Sequence, residues 1–143
     1  MPPAVKFNHM ELTFPRGTLE PAFRKEVADF YGDVFGWEAS DVDVVGQNCL
    51  YLRVDDGQFL LCAESGKPMS SPGYDHLGLL MDTREEVDDT LAKIKARAET
   101  DERIKIKEYE DLVMARVTVH AFYVKYLLPI YFDVQVIEVN QPA

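Results

Sequence analysis

An internal repeat constrains this chain more than any other feature. HMEL at residues 9–12 and HLGL at 76–79 stand 67 positions apart, and each opens the same succession of patterns. In the first copy, residues 4–14 alternate in strand fashion, with Met10, Leu12 and Phe14 on one face and His9, Glu11 and Thr13 on the other. Pro15-Arg16-Gly17 ends the strand. Thr18 then suits an N-cap and Pro21 a first-turn position, and Phe23, Val27, Phe30, Tyr31 and Val34 recur at helical spacing. The pattern predicts a helix to about Phe35, stopped by Gly36. An extended piece starts at Trp37-Glu38, and residues 49–54 and 58–64 read as a hairpin around Asp56-Gly57. In that register Val54 faces Phe59, Tyr51 faces Cys62 and Cys49 faces Glu64. The two cysteines are then diagonal, which predicts two buried thiols rather than a disulfide.

The stretch SGKPMSSPG at residues 65–73 has the composition of a linker, which is placed at 66–73 between the modules. Beyond it Tyr74 to Met81 alternates again, with His76, Gly78 and Leu80 on one face. Thr83-Arg84-Glu85-Glu86 fits a capping box and opens a helix striped by Val87, Leu91, Ile94 and Ala98. Strands follow at 104–107, 117–124 and 133–139. The expected fold is α+β: one domain of 143 residues made of two tandem βαβββ modules, about 1–65 and 74–143. Joined edge to edge, the two sheets would make one cupped mixed β-sheet with helices on its outer face.

Composition removes several function classes. Against 15 Lys+Arg stand 25 Asp+Glu, a net charge of −10. Phosphate-rich partners need a cationic surface, so nucleic acid and anionic membranes are not expected partners. No apolar run approaches the length of a membrane span, and MPPAVKFNHMEL lacks the signal-peptide pattern, so a cytoplasmic protein is expected.

With only three histidines, their placement matters. A helix must cover the apolar side of each module's first strand, so His9 and His76 point to the opposite side of their sheets. On the last strand Glu138 shares a face with Val134 and Val136, and that face is assigned to the histidine side. Two imidazoles and a carboxylate are the facial set of non-haem Fe(II) oxygenases, and such a site also accepts Mn, Zn or Ni. Ordinary strand histidines and a solvated Glu138 remain the alternative.

The segments FNHMEL, FYGDVFGWE at 30–38 and HLGLLMDTREEVD at 76–88 resemble the vicinal oxygen chelate superfamily, which includes glyoxalase I, bleomycin- and fosfomycin-resistance proteins and extradiol catechol dioxygenases. AFYVKY at 121–126 and VIEV at 136–139 are similar to its closing strands. The resemblance implies a divalent metal held by His9, His76 and Glu138. The chain departs from it in two places. KYLLPIYFDVQ at 125–135 replaces the usual Asp-Pro-Asp-Gly turn, which leaves Asp133 as the fallback carboxylate. Leu61, which cannot ligate, stands where glyoxalase-type members have a fourth ligand, with Glu64 as a substitute if the register differs.

The missing fourth ligand tilts the expectation toward an extradiol dioxygenase-like enzyme, cleaving a catechol-like small molecule with O2 on Fe(II). The alternatives are a glyoxalase-like isomerase or lyase on Zn, Ni or Co, and a metal-free drug-sequestering binding protein. His120 is then a candidate acid/base beside the metal, Tyr123 and Tyr126 candidate donors to a substrate oxygen, and Arg53 and Tyr51 candidate substrate contacts. A homodimer is expected, with modules paired within or between chains. The apolar connection from Tyr126 to Phe132 is expected to be a dimer contact or a lid.

Overall fold

A computed structural model describes residues 1–142. The chain divides into two compact units, Met1–Ser70 and Ser71–Ala143.

The first unit runs β1 (His9–Phe14), α1 (Pro21–Phe35), β2 (Glu38–Val44), β3 (Gln47–Asp55) and β4 (Gln58–Glu64). Its sheet has the order β1-β4-β3-β2, with β1 parallel to β4 and the other pairs antiparallel. The N-cap of α1 is Glu20, ahead of Pro21 in the first turn. Thr18 instead donates its hydroxyl to the Pro15 carbonyl at 2.6 Å and belongs to the preceding turn. At the other end Gly36 adopts φ 71°, a left-handed cap that a side chain would strain, and its N–H returns to the Gly32 carbonyl. Leu12, Val27, Phe30, Leu52, Leu60 and Cys62 form the fully buried layer between sheet and helix, and Phe14 meets Phe23 of α1 edge to face.

The hairpin departs from its expected register. A bulge between Arg53 and Asp55 inserts one residue, so Tyr51 faces Leu61 and Leu50 faces Cys62. Cys49 consequently packs with Leu61 and Ala63 on the His9 side, while Cys62 lies on the helix side. Both thiols are buried and free, and burial pushes the Cys62 thiol up to about 12.

The second unit runs β5 (His76–Leu80), α2 (Arg84–Ala98), β6 (Lys105–Glu108), β7 (Leu112–Val113), β8 (Val117–Lys125) and β9 (Tyr131–Val139). Its sheet order is β5-β9-β8-β6, with the short β7 also on β8. The N-cap of α2 is Thr83, whose hydroxyl accepts from the Glu86 N–H at 3.1 Å. The Glu86 carboxylate reaches the Asp82 N–H. Phe122, Val124, Phe132, Val134 and Val136 are buried, and α2 packs on β8 and β9.

The apolar connection between β8 and β9 is not a surface lid. Tyr126, Leu128 and Ile130 are at most 6% exposed, continuing inward the buried series of both strands, while Leu127 makes the turn at φ 61°. Among the described residues no helix is long and apolar enough to cross a membrane.

Candidate functional site

On the second sheet, the face away from α2 gathers His76, Tyr123, Tyr131 and Asp133. Register explains the gathering: His76 is the strand partner of Tyr131, Gly78 of Asp133, and Asp133 in turn of Tyr123. The Nδ1 of His76 lies 2.9 Å from the Tyr74 carbonyl oxygen. A carbonyl only accepts, so Nδ1 carries a proton and, in the neutral ring, Nε2 bears the lone pair. Orientation of an imidazole by a backbone carbonyl in this way is what a metal-binding histidine requires. That Nε2 stands 3.7 Å from Asp133 Oδ2 and 3.4 Å from the Tyr123 hydroxyl.

Asp133 is the most informative member. Its Oδ2 accepts from the Gln135 amide at 3.2 Å, whereas Oδ1 is buried and has no hydrogen-bond partner among the described residues. Burial raises its carboxyl above the ordinary range, opposed by His76 and the Tyr123 hydroxyl. Burial, with the Asp133 charge next, likewise raises the Tyr123 phenol, which stays a proton donor. A carboxylate with one oxygen buried and bare and the other 3.7 Å from an imidazole nitrogen is costly unless something cationic takes it up. This nitrogen-and-oxygen pair suits a borderline divalent ion, so the residues fit the metal that the sequence implies. Among the described residues no group of three or more His, Cys, Asp or Glu side chains gathers to hold a metal ion.

On the first sheet, His9 also lies on the face away from its helix. Its Nδ1 is 2.7 Å from Asn8 Oδ1, and the Asn8 amide nitrogen donates to the Gly57 carbonyl, which fixes Oδ1 as the atom facing the ring. His9 therefore also presents Nε2 as its lone pair. Its ring stacks on Phe59 at 4.8 Å, and Phe59 stacks on Tyr51 at 4.4 Å, an aromatic row across β1, β4 and β3. Arg53, also expected to contact substrate, pairs with Asp56 in the adjoining turn.

Several expected site residues stand elsewhere. Glu138 is not brought to His76: it lies seven residues beyond Tyr131 along β9, about 23 Å away at strand rise. It also shares the helix-side face of Val134 and Val136, and Arg84 of α2 donates to it at 2.6 Å. The carboxylate beside His76 is that of Asp133. His120 is on the helix side too, its ring nitrogens bonded to Asp88 at 2.6 Å and Asp111 at 2.7 Å. Tyr126 points the same way and donates to Asp101, locking the turn after α2. Glu64 faces α1 rather than His9, and its carboxylate, held low chiefly by backbone N–H groups of Leu19 and Gly17, caps the loop before the helix.

Sequence reasoning missed Tyr74, Tyr109 and Tyr131 around His76. Tyr131 and Tyr74 each precede an expected or fallback ligand by two residues, the spacing that puts strand side chains on one face.

The model of the Glyoxalase/Bleomycin resistance protein/Dioxygenase superfamily matches residues 25–119. Among solved structures, a genomically encoded fosfomycin resistance protein, FosX, from Listeria monocytogenes is similar at TM-score 0.64 and 16% identity, covering 94% of this chain and 91% of that one. A possible glyoxalase from Bacillus cereus is similar at TM-score 0.58 and 20% identity, over 93% and 98%. A mutant of the Listeria FosX, solved with Mn(II) and 1S,2S-dihydroxypropylphosphonic acid, is similar at TM-score 0.61 and 17% identity, over 92% and 89%. At these identities the likeness is one of fold. No match was found among curated protein sequences.

Proposed function

The chain belongs to the glyoxalase/bleomycin resistance protein/dioxygenase superfamily, and from that membership we propose that it is a divalent-metal-dependent enzyme acting on a small molecule with two neighbouring oxygens. The observation that carries this reading is the placement of the Asp133 carboxylate beside His76, with Oδ2 at 3.7 Å from Nε2 and Oδ1 buried without a hydrogen-bond partner among the described residues. We assign His76 and Asp133 as ligands, Asp133 replacing Glu138. His9, with its own Nε2 lone pair, is the ligand that the family resemblance assigns to the first repeat. The metal, when bound, supplies Lewis-acid and template chemistry for the chelated oxygens.

The chain's own residues supply the rest. The Tyr74 carbonyl holds His76 in one tautomer. Tyr123, kept protonated, is placed to donate a hydrogen bond to a substrate oxygen arriving at His76. The tyrosine rings around it exclude water from one side of the substrate.

Within this class the finer reading is extradiol dioxygenase-like on Fe(II), supported by Leu61, which cannot ligate, standing where glyoxalase-type members have a fourth ligand. A lyase or isomerase on Mn, Zn or Ni is the second reading, favoured by the similarity of the fold to a FosX solved with Mn(II). The same proposal makes the protein a cytoplasmic homodimer, which light scattering tests for assembly.

Metal analysis of protein purified without chelators tests the proposal. Stoichiometric metal is expected in the wild type and in Glu138→Gln, and its loss in His76→Ala and Asp133→Asn. Absence of metal after reconstitution with Fe, Mn, Zn and Ni would overturn the enzyme reading and leave a binding protein. A yellow ring-opened product from a catechol under air supports the dioxygenase reading; Fe-loaded protein without it refutes that finer step.

A further inference from the structure

The same face of the second sheet carries a local charge opposite to that of the molecule. Lys105 and Lys125 are strand partners, and Lys107, two residues along β6, partners Tyr123. Like charges placed opposite one another on a sheet repel. In a chain with ten more carboxylates than cationic side chains, neighbouring carboxylates would be the ordinary remedy. Among the described residues none of these three lysines has a carboxylate within ion-pair distance, whereas Lys25 and Lys95 each have one. Lys107 Nζ instead lies 4.7 Å from the ring centre of Tyr74 and 5.5 Å from that of Tyr109, and Lys125 Nζ lies 5.5 Å from that of Tyr131. A ring face takes up at most part of an ammonium group that carries three donors. Lys125 gives one more to the Ser71 carbonyl at 3.3 Å. Tyr131 is at once the ring under Lys125 and the strand partner of His76, so Lys125 sits two strand spacings from the strand of the imidazole, about 10 Å, and Lys107, on β6, three, about 14 Å.

We propose that Lys107 and Lys125, with the phenol hydroxyls of the tyrosines they overlie, form a subsite for a doubly charged oxyanion, a phosphonate or phosphate group, on the molecule whose other end reaches His76. Two ammonium groups without carboxylate partners call for two negative charges rather than one, and the phenol hydroxyls beneath them are further donors. The assignment of that molecule as the substrate rests on the function proposed above; the anion subsite itself requires no metal.

Calorimetric titration with phenylphosphonate, phenyl phosphate, benzoate and benzyl alcohol tests it, with metal content measured on the same samples. Phenylphosphonate or phenyl phosphate is expected to bind more tightly than benzoate, and benzyl alcohol weakest. Lys107→Met and Lys125→Met are each expected to weaken dianion binding about tenfold, with metal content and circular dichroism unchanged. His76→Ala, which removes the proposed metal, is expected to keep the lysine-dependent affinity. Retention of that affinity in wild-type protein that takes up no metal after reconstitution would refute the enzyme reading and leave the subsite standing. Benzyl alcohol binding as tightly as phenylphosphonate, or full dianion affinity in the double lysine variant, would overturn the subsite. Preference of one dianion over the other identifies whether a phosphonate or a phosphate ester is the natural group.

Discussion

The two repeats share a skeleton and differ in what they place beside their histidines. In the first unit His9 partners Phe59, and the next position on that strand face is Leu61, the partner of Glu11. In the second, His76 partners Tyr131, and the next position is Asp133, the partner of Gly78. The first unit therefore backs its imidazole with an aromatic row and an apolar cluster of Cys49, Leu61 and Ala63. The second backs it with a buried carboxylate, tyrosine hydroxyls and lysines. Equivalent strand positions in a duplicated frame have taken opposite chemistry, one a wall and the other a set of donors. A buried carboxylate is a cost to folding, so its presence in only one copy sets the chemistry of the two histidine faces apart.

Exchanging the two characters should break the comparison most visibly. Asp133→Leu gives the second unit the first unit's residue, and metal affinity is expected to fall about 100-fold or more, measured by competition with a chromophoric chelator. The same variant is expected to be more stable without metal by about 1 kcal/mol, because a bare buried oxygen is removed; a lower urea midpoint would contradict the account of Asp133. The reverse exchange, Leu61→Asp, puts an unpaired charge at a position only 8% exposed and is expected to cost about 3 kcal/mol in denaturant titration.

A smaller effect separates the units by pH. Burial alone would lower the His120 pKa, but its bonds to Asp88 and Asp111 outweigh this and hold it above the ordinary value. The folded state then binds that proton more tightly than the unfolded chain does. Its stabilisation is complete below the free-imidazole value of about 6.5 and is lost as pH rises through the higher folded value. His120→Gln should flatten this alkaline decline of the urea midpoint, with α2 and β8 of the second unit as the region affected. In acid the sign reverses. Arg84 holds the Glu138 and Asp111 carboxylates low, so their contribution is present above the usual carboxylate range and fades as pH falls. The least effect is expected at Arg53, whose exposed pairing with Asp56 should change stability by no more than about 0.5 kcal/mol in Arg53→Gln.

Most of the fold was legible because both periods were clean. Alternation from Met10 to Phe14 and helical spacing from Phe23 to Val34 fix which side of β1 meets a helix, and the same reasoning at β5 turns His76 away from α2. The faces were misread where that rule was not carried to the last two strands. Phe132, Val134 and Val136 are the apolar side of β9 and must meet the helix, which sends Glu138 with them and leaves Tyr131 and Asp133 facing His76. Phe122 and Val124 do the same on β8, taking His120 and Tyr126 to the helix side and leaving Tyr123 on the other. Two more errors came from connections: the bulge after Arg53 and the buried turn at Leu128 and Ile130 have no signature in alternation alone.

The sequence by itself determined the repeat, the order of elements apart from the short β7, the faces of His9 and His76, the free state of the two cysteines and the family. Only the tertiary structure decided which carboxylate meets His76, where His120 works, and that lysines without ion-pair partners lie beside the tyrosines. The physical reason is the two-residue period of a strand. A side chain's own strand fixes its face only once the covered side is known, and a one-residue change of register or parity moves every side chain to the other side of the sheet.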